Sequence, residues 1–456
     1  MVLKIVEAFA SSFFLTQYTV HIVIGIVVIL TLHSISQGRR TTRERDLHGR
    51  TVLITGGFTP LGLTILQSLA QRGAHIIALS SDPIDSSNVT ILISLLRTTT
   101  SNEQIFAEGC DVTSPTSIHS FCTRFLTGQD QRIDAIIFAH EYRQIGSLFS
   151  RKDKEKERNA GSLATFLITT LLLPALLVAP VERDIRIINI VNPFYAAAAT
   201  LLPRFDPPKE RSVFLREGIR SLRSIIVTRH LQRILDALPA AQLPKPEEGS
   251  ASVPVVNAKV QRSNIVAVSV CPGISRVDTI SALFNADWTI RYTPFRITLY
   301  VILQPILRIF FKSPEGAMQS VLHALFLPTP FKVHVQPTQV PNAMPEEVLK
   351  PGALYRECAV VTLKVSVPEN LALSDPKASS SKKGKGKAGE EVLEIQDDGE
   401  YGGEVAGRFI WESYEEALKV WEKENPASEE DLRREEERKQ KQEQEKAGVV
   451  DEVSPY

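Results

Sequence analysis

At 456 residues the chain exceeds one ordinary domain of roughly 100–200 residues, and it can bury a core without disulfide staples. Apolar residues make up 43% and charged residues 23%, which excludes wholesale disorder. The 52 basic residues balance the 52 acidic ones, so a globally basic nucleic-acid binder is disfavoured and no nucleic-acid partner is expected. Cys110, Cys122, Cys271 and Cys358 lie far apart without a CxxC pair, which argues for reduced thiols and against a zinc ribbon or other metal site.

The first feature along the chain is a stretch without Lys, Arg, Asp or Glu from Ala8 to Gln37. A bilayer core of about 30 Å needs about 20 helical residues, so 18–36, after an N-terminal segment 1–17, reads as a transmembrane anchor. Lys4 and Glu7 cancel before it, whereas Arg39, Arg40, Arg43 and Arg45 follow it. The positive-inside rule then leaves everything after the anchor in the cytosol. A single-pass protein of the endoplasmic reticulum is the first expectation and the mitochondrial outer membrane the second. A buried helix is the soluble alternative.

Residues 50–330 alternate short apolar runs with helical patterns, as an α/β fold does. TVLI (51–54) suits a buried parallel strand, TGGFTPLG (55–62) a turn, LTILQSLAQRG (63–73) a helix capped by Gly73, and HIIALSS (75–81) the next strand. Such a turn can bring backbone N–H groups and a helix N-terminus against a pyrophosphate. It resembles the TGxxxGxG turn of the short-chain dehydrogenase/reductase superfamily. Thr55, Gly56 and Gly62 match, while Pro60 replaces the middle glycine and removes a donor.

The resemblance continues in order. CDVTSPTSI (110–118) is similar to the segment that places Asp111 and Val112 beside the adenine. RIDAIIFAHE (132–141) resembles the strand ending in NNAG, with Phe138, Ala139, His140 and Glu141 in those four places. LATFLITTLLLPALL (163–177) resembles the long helix that often packs a homodimer, and is read as buried rather than as a second span. DIRIINIVNP (184–193) and NIVAVSVCPGISRVDT (264–279) resemble the next strands, with the PG turn at Pro272–Gly273 and Thr279 near the nicotinamide amide. KSPEGAMQSVLHALF (312–326) resembles the late helix of retinol-dehydrogenase-like members.

Over residues 48–330 the resemblance implies a Rossmann-like doubly wound parallel sheet. It also implies NAD or NADP held by Thr55, Gly56, Gly57, Gly62, Asp111, Val112, Ala139, Pro272, Gly273 and Thr279. Ser80, Ser81 and Asp82 end the second strand. Asp82 hints at NAD through the ribose diol, or else caps a turn before Pro83.

The catalytic match fails. The family uses a Tyr with a Lys four residues later, one helical turn apart, and a Ser that polarises the substrate oxygen. None of the nine tyrosines has a lysine four residues on. In the segment 212–235, Phe214 or Leu215 falls near the Tyr place and Gly218 or Ile219 near the Lys place; Asn192 takes the Ser place, and Asn159 lies about two residues out of register with the family's structural Asn. Tyr195 and His140, both near strand ends, are substitute candidates for proton transfer. Each is equally read as a packed or satisfied residue.

Residues 287–312 are strongly apolar with basic edges, which suits either a substrate lid or an element in the membrane interface; Pro305 should kink or break a helix there. After an extension at 331–367, 368–406 reads as a flexible linker, and its KKGKGK run is either solvated or touches anionic lipid. An amphipathic helix at 407–426 places Ile410, Tyr414, Leu418 and Trp421 on one stripe for docking, and 427–456 is a charged tail open to a protein partner. Three functions stay open. One is a membrane-anchored oxidoreductase on a hydrophobic alcohol or carbonyl. The second is a degenerate pseudoenzyme serving as a nucleotide- or lipid-binding scaffold. The third is a lipid carrier.

Overall fold

A computed structural model describes residues 16–128, 132–148, 155–180, 182–201, 212–241, 263–286, 294–330, 347–365, 395 and 397–426. The expected N-terminal segment before residue 16, the KKGKGK run and the charged tail lie outside the described residues, as do residues 242–262.

Helix α1 (Thr16–Gln37) is followed by β1 (Thr51–Thr55), α2 (Pro60–Ala70), β2 (His75–Ser80), α3 (Ser87–Thr100), β3 (Ile105–Gly109), α4 (Pro115–Thr127) and β4 (Ala135–Phe138). A short turn of helix, α5 (His140–Arg143), leads to α6 (Glu155–Leu177), β5 (Ile185–Ile190), α7 (Val213–Ala241) and β6 (Ile265–Cys271). Then come α8 (Ser281–Phe284), α9 (Pro294–Phe310), α10 (Pro314–Phe326), β7 (Leu354–Arg356), β8 (Ala359–Val361) and α11 (Gly403–Glu424).

The strands form one sheet in the order β3-β2-β1-β4-β5-β6-β7-β8. All pairs are parallel except the last. The chain leaves β3 on one side and returns on the other side of β1, so the order reverses between β1 and β4. That is where ligands enter sheets of this type. This is the expected Rossmann-like architecture, with the sheet running further than expected. It does not end at residue 330, because β7 pairs with β6 and β8 closes the edge by a tight hairpin.

Strand alternation builds the core in two layers. Leu53, Ile136, Phe138 and Ile187 face α4, α6, α7 and α11, whereas Val52, Ile54, Ile137 and Ile188 face α2, α3 and α10. Buried charges tie the edges together. Asp134 holds Arg50, Arg132 and Arg183 within 3.0–3.3 Å. Arg186, 1% exposed, pairs with Asp184 at 2.8 Å and donates to the carbonyls of Ala324, Leu325 and Leu327 at the end of α10, where orphan carbonyls need donors. Arg45 reaches the same Asp184 at 2.9 Å, binding the segment after α1 to the domain.

Three expectations change. The linker read to residue 406 stops earlier: Asp398 pairs with Arg229 and Arg233, and Tyr401 is buried, its hydroxyl accepting from Leu354 N and donating to Val361 O. The docking helix accordingly starts at Gly403 rather than 407 and covers α6 and α7, with Ile410, Tyr414 and Trp421 buried and Leu418 against them. Pro305 does not end its helix: α9 runs through it, with Pro305 on the exposed side.

Candidate functional site

The carboxyl ends of β1, β4 and β6 frame the cleft. After β1, Gly56 turns the chain at φ 66°, and a Cβ there would stand 2.6 Å from the backbone nitrogen of His140. Gly62 lies on α2, where a Cβ would stand 2.2 Å from Gly56 O. Both glycines are therefore required by backbone packed on backbone. Gly57, also buried, packs against Leu66 and Ala78.

Helix α2 opens at Pro60, the first helical position, where the missing N–H costs nothing. Thr59 caps it by accepting from Gly62 N at 3.1 Å. The next orphan donor, Leu61 N–H, donates to Asp278 Oδ1 at 3.3 Å. Asp278 is wholly buried, and its Oδ2 accepts from Ser275 Oγ at 3.2 Å. Burial raises its pKa, while the bonds from Leu61 and Ser275 oppose the rise. A carboxylate of the chain itself thus sits at the helix N-terminus where an anion would bind.

The neighbouring groups are equally engaged. Thr55 Oγ1 is 2.7 Å from His140 Nδ1, and His140 Nε2 is 2.9 Å from Gly161 O. Burial lowers the His140 pKa and favours the neutral ring, so neither nitrogen is free for proton transfer. Ala139 is buried between them. Tyr142 reaches under the PG turn and donates to Gly273 O at 2.7 Å, and Thr279 Oγ1 donates to Tyr142 OH at 3.3 Å. Burial raises the Tyr142 pKa well above its usual value. Pro272 and Gly273 are buried, the latter at φ 95° over the Lys312 side chain. At the adenine end, Val112 is buried and both Asp111 carboxylate oxygens accept from Thr113, closing a turn. Ser80 Oγ accepts from Asp82 N.

The catalytic place holds ion pairs. Glu217 on α7, 3% exposed, meets Arg158 at 2.9 Å and Arg220 at 2.8 Å, and accepts from Gly146 N. Arg223 is buried beside them and donates to Asn159 Oδ1 at 3.1 Å. Gly218 cannot take a side chain, since its Cβ would stand 2.5 Å from Phe194 O. Phe214 packs on Phe194 with ring centres 5.2 Å apart and the planes tilted by 53°, and Ile219 is buried. Asn192 caps the turn after β5 by accepting from Phe194 N, and its amide points to Glu217 O. Tyr195 does not face the cleft. It is packed in the core, where burial raises its pKa.

The structure therefore gathers Thr55, Gly56, Gly62, Ala139, His140, Gly273 and Thr279 around one point, but fills that point with protein groups. Asp278 and Tyr142 are the residues that sequence reasoning missed. An acid in the segment expected to face an anionic ligand was the available signal for Asp278. Tyr142 carried none. In this arrangement a pyrophosphate has no free N–H at Leu61 or Gly62, so the residues do not fit a bound dinucleotide as they stand. Among the described residues no group of three potential metal ligands converges.

Residues 50–160 match the KR domain. The chain is 27% identical over 317 residues to an "uncharacterized oxidoreductase" of Saccharomyces cerevisiae, covering 67% of this chain and 74% of that one. It is 27% identical over 177 residues to an "uncharacterized oxidoreductase" of Schizosaccharomyces pombe, covering 38% and 46%. With retinol dehydrogenase 13 of Mus musculus it shares 25% over 182 residues, covering 40% and 53%. The chain thus spans about half the length of the latter two. A short-chain dehydrogenase from Sphingobium yanoikuyae, solved in complex with NADPH, aligns at 16% identity and a TM-score of 0.38, covering 60% of this chain and 84% of that one. By its KR-domain match over residues 50–160 and by the curated relatives, the chain is similar to short-chain dehydrogenase/reductase proteins and resembles an oxidoreductase.

Proposed function

We propose that this protein is a membrane-anchored member of the superfamily that has exchanged hydride transfer for a scaffold role at the membrane. The observation that carries this reading is the Asp278 carboxylate on Leu61 N–H, which holds an anion of the chain itself where a dinucleotide's phosphates would sit. The ion pairs of Glu217 at the catalytic place support it, since no Tyr–Lys pair remains to move a proton. The anchor is α1. Its 22 residues span about 33 Å, and Val20–Gln37 has a mean hydropathy of 1.9. The arginines after it put the domain in the cytosol, facing the endoplasmic reticulum by preference.

A second reading is an NAD- or NADP-dependent oxidoreductase acting on a lipid-like alcohol or carbonyl, and the names of the relatives favour it. It requires Asp278 and Tyr142 to leave the cleft. Titrating NADH and NADPH fluorescence against the full chain in nanodiscs separates the two. No saturable binding up to millimolar cofactor is the expected result. Micromolar binding overturns the scaffold reading and restores the oxidoreductase.

A further inference from the structure

Helix α9 is apolar on two opposite sides. Leu303, Leu307 and Tyr300 point inward and pack with Ile145, Ile280 and Leu283. The outer side presents Val301, Ile302, Ile306 and Phe310, each 52–66% exposed. Residues 302, 306 and 310 recur every four positions, so they form one stripe along the helix. Among the described side chains of α9, the exposed polar ones beside this stripe are Thr298 and Arg308. A surface helix of a soluble domain normally turns polar side chains that way.

What covers the stripe follows from its neighbour. The last turns of α1 and α9 are joined: His33 Nδ1 lies 2.9 Å from Arg308 O, and Gln37 donates to Phe311 O at 3.3 Å. Gln37 Oε1 also accepts from Ser313 N and Oγ at 3.0 and 2.9 Å. The apolar rod of α1 therefore ends at the level of Phe310, and the exposed Arg39 and Arg40 follow at once. A bilayer that takes up α1 to that level brings its headgroup layer against α9.

Resting on the anchor reading above, we propose that α9 lies in the interfacial layer of the same membrane, with the Val301, Ile302, Ile306 and Phe310 face among the acyl chains. Arg39, Arg40 and Arg308 form a basic rim that suits anionic headgroups. The partner is a lipid bilayer, and the domain is held by two contacts rather than one tether.

The test uses the full chain in vesicles of phosphatidylcholine and phosphatidylserine. Its four native cysteines are buried. An environment-sensitive fluorophore is placed singly by Ile302→Cys, Ile306→Cys, Val28→Cys and Ile91→Cys, positions that are all exposed. Probes at 302, 306 and 28 are expected to shift to the blue and lose most of their emission to a doxyl-labelled lipid. The probe at 91, on α3, should answer only to aqueous iodide. Probes at 302 and 306 that behave like 91, while 28 is quenched by lipid, overturn the inference and leave the anchor standing. Probes at 302 and 306 shielded from both quenchers overturn it in favour of a protein partner or a second copy. A probe at 28 that escapes the lipid quencher overturns the anchor reading and this inference with it.

Discussion

Asp278 carries an energetic cost that makes its role measurable. Its pKa is raised by burial, so holding the charged carboxylate there costs the folded protein stability. Stability is then fullest below the unfolded value of 3.8 and declines as pH rises through the folded pKa. Asp278→Asn keeps an acceptor for Leu61 N–H and removes the charge. The variant should melt higher than the parent at pH 8, on the order of 2 °C, as about 1 kcal/mol gives in a domain of this size. The difference should vanish near pH 4. Paired thermal scans at the two pH values check this, and a variant less stable at pH 8 would show that the carboxylate is favourably held. A second lesson at this scale is Gly218. Family logic placed a lysine near it, but the carbonyl of Phe194 leaves no room for any Cβ. A lysine at position 218 is thus excluded by backbone contact as well as by the identity of the residue there.

Among the elements, α11 has the largest consequence. It lays Ile410, Tyr414 and Trp421 over α6 and α7, where Phe166 meets Trp411 at 4.8 Å and Tyr414 at 5.3 Å. The sequence suggested that α6 packs a homodimer; here the chain covers that surface with its own C-terminal helix. Removing residues 403–456 should expose an apolar face and drive self-association, visible as a concentration-dependent mass by light scattering. The docking should also depend on pH. His230 on α7 is buried against α11, and a Cβ on Gly407 would stand 2.6 Å from its ring. Burial first, then Arg233 and Arg408, lower its pKa to about 4 against the partial help of Glu404. A base whose folded pKa is depressed contributes stability above its unfolded value of 6.5, and loses it as pH falls toward 4. The loss amounts to about 3 kcal/mol in full. His230→Leu should flatten that decline, followed by tryptophan fluorescence between pH 7 and pH 4. An unchanged profile would remove His230 from the account.

At the scale of the whole molecule, the apolar helices α1 and α9 and the cleft are continuous. Lys312, nearly buried, lies under Gly273, beside Gly38 after α1, and 3.4 Å from Glu357 in the β7–β8 turn. Arg276 N donates to Lys312 O and Lys312 N to Ile274 O, so the turn between α9 and α10 is stitched to the segment that carries Asp278. Helix α1, helix α9 and the filled cleft are therefore connected through Lys312 and its neighbours. Carbonate extraction of membranes should leave the full chain in the pellet. A chain lacking residues 1–38 should be released, yet still bind vesicles reversibly through α9. Release without any vesicle binding would confine membrane contact to α1.

Much of this was set by the residues in their order. Uninterrupted apolar runs marked β1 and β2, because a strand buried on both faces leaves a local signature, while β4, β5 and β6 were placed by the resemblance of their segments in order. The charge-free stretch before Arg39 marked α1, and the absent Tyr–Lys spacing showed that the usual relay is missing. Only the tertiary structure decided that the cleft is filled, that β7 and β8 extend the sheet, and that Glu217 stands among arginines. The Leu61–Asp278 bond joins residues 217 apart, and the Tyr142–Gly273 bond residues 131 apart. Periodicity reads what neighbours along the chain share, whereas the occupant of a cleft is chosen by which distant segments the topology brings together.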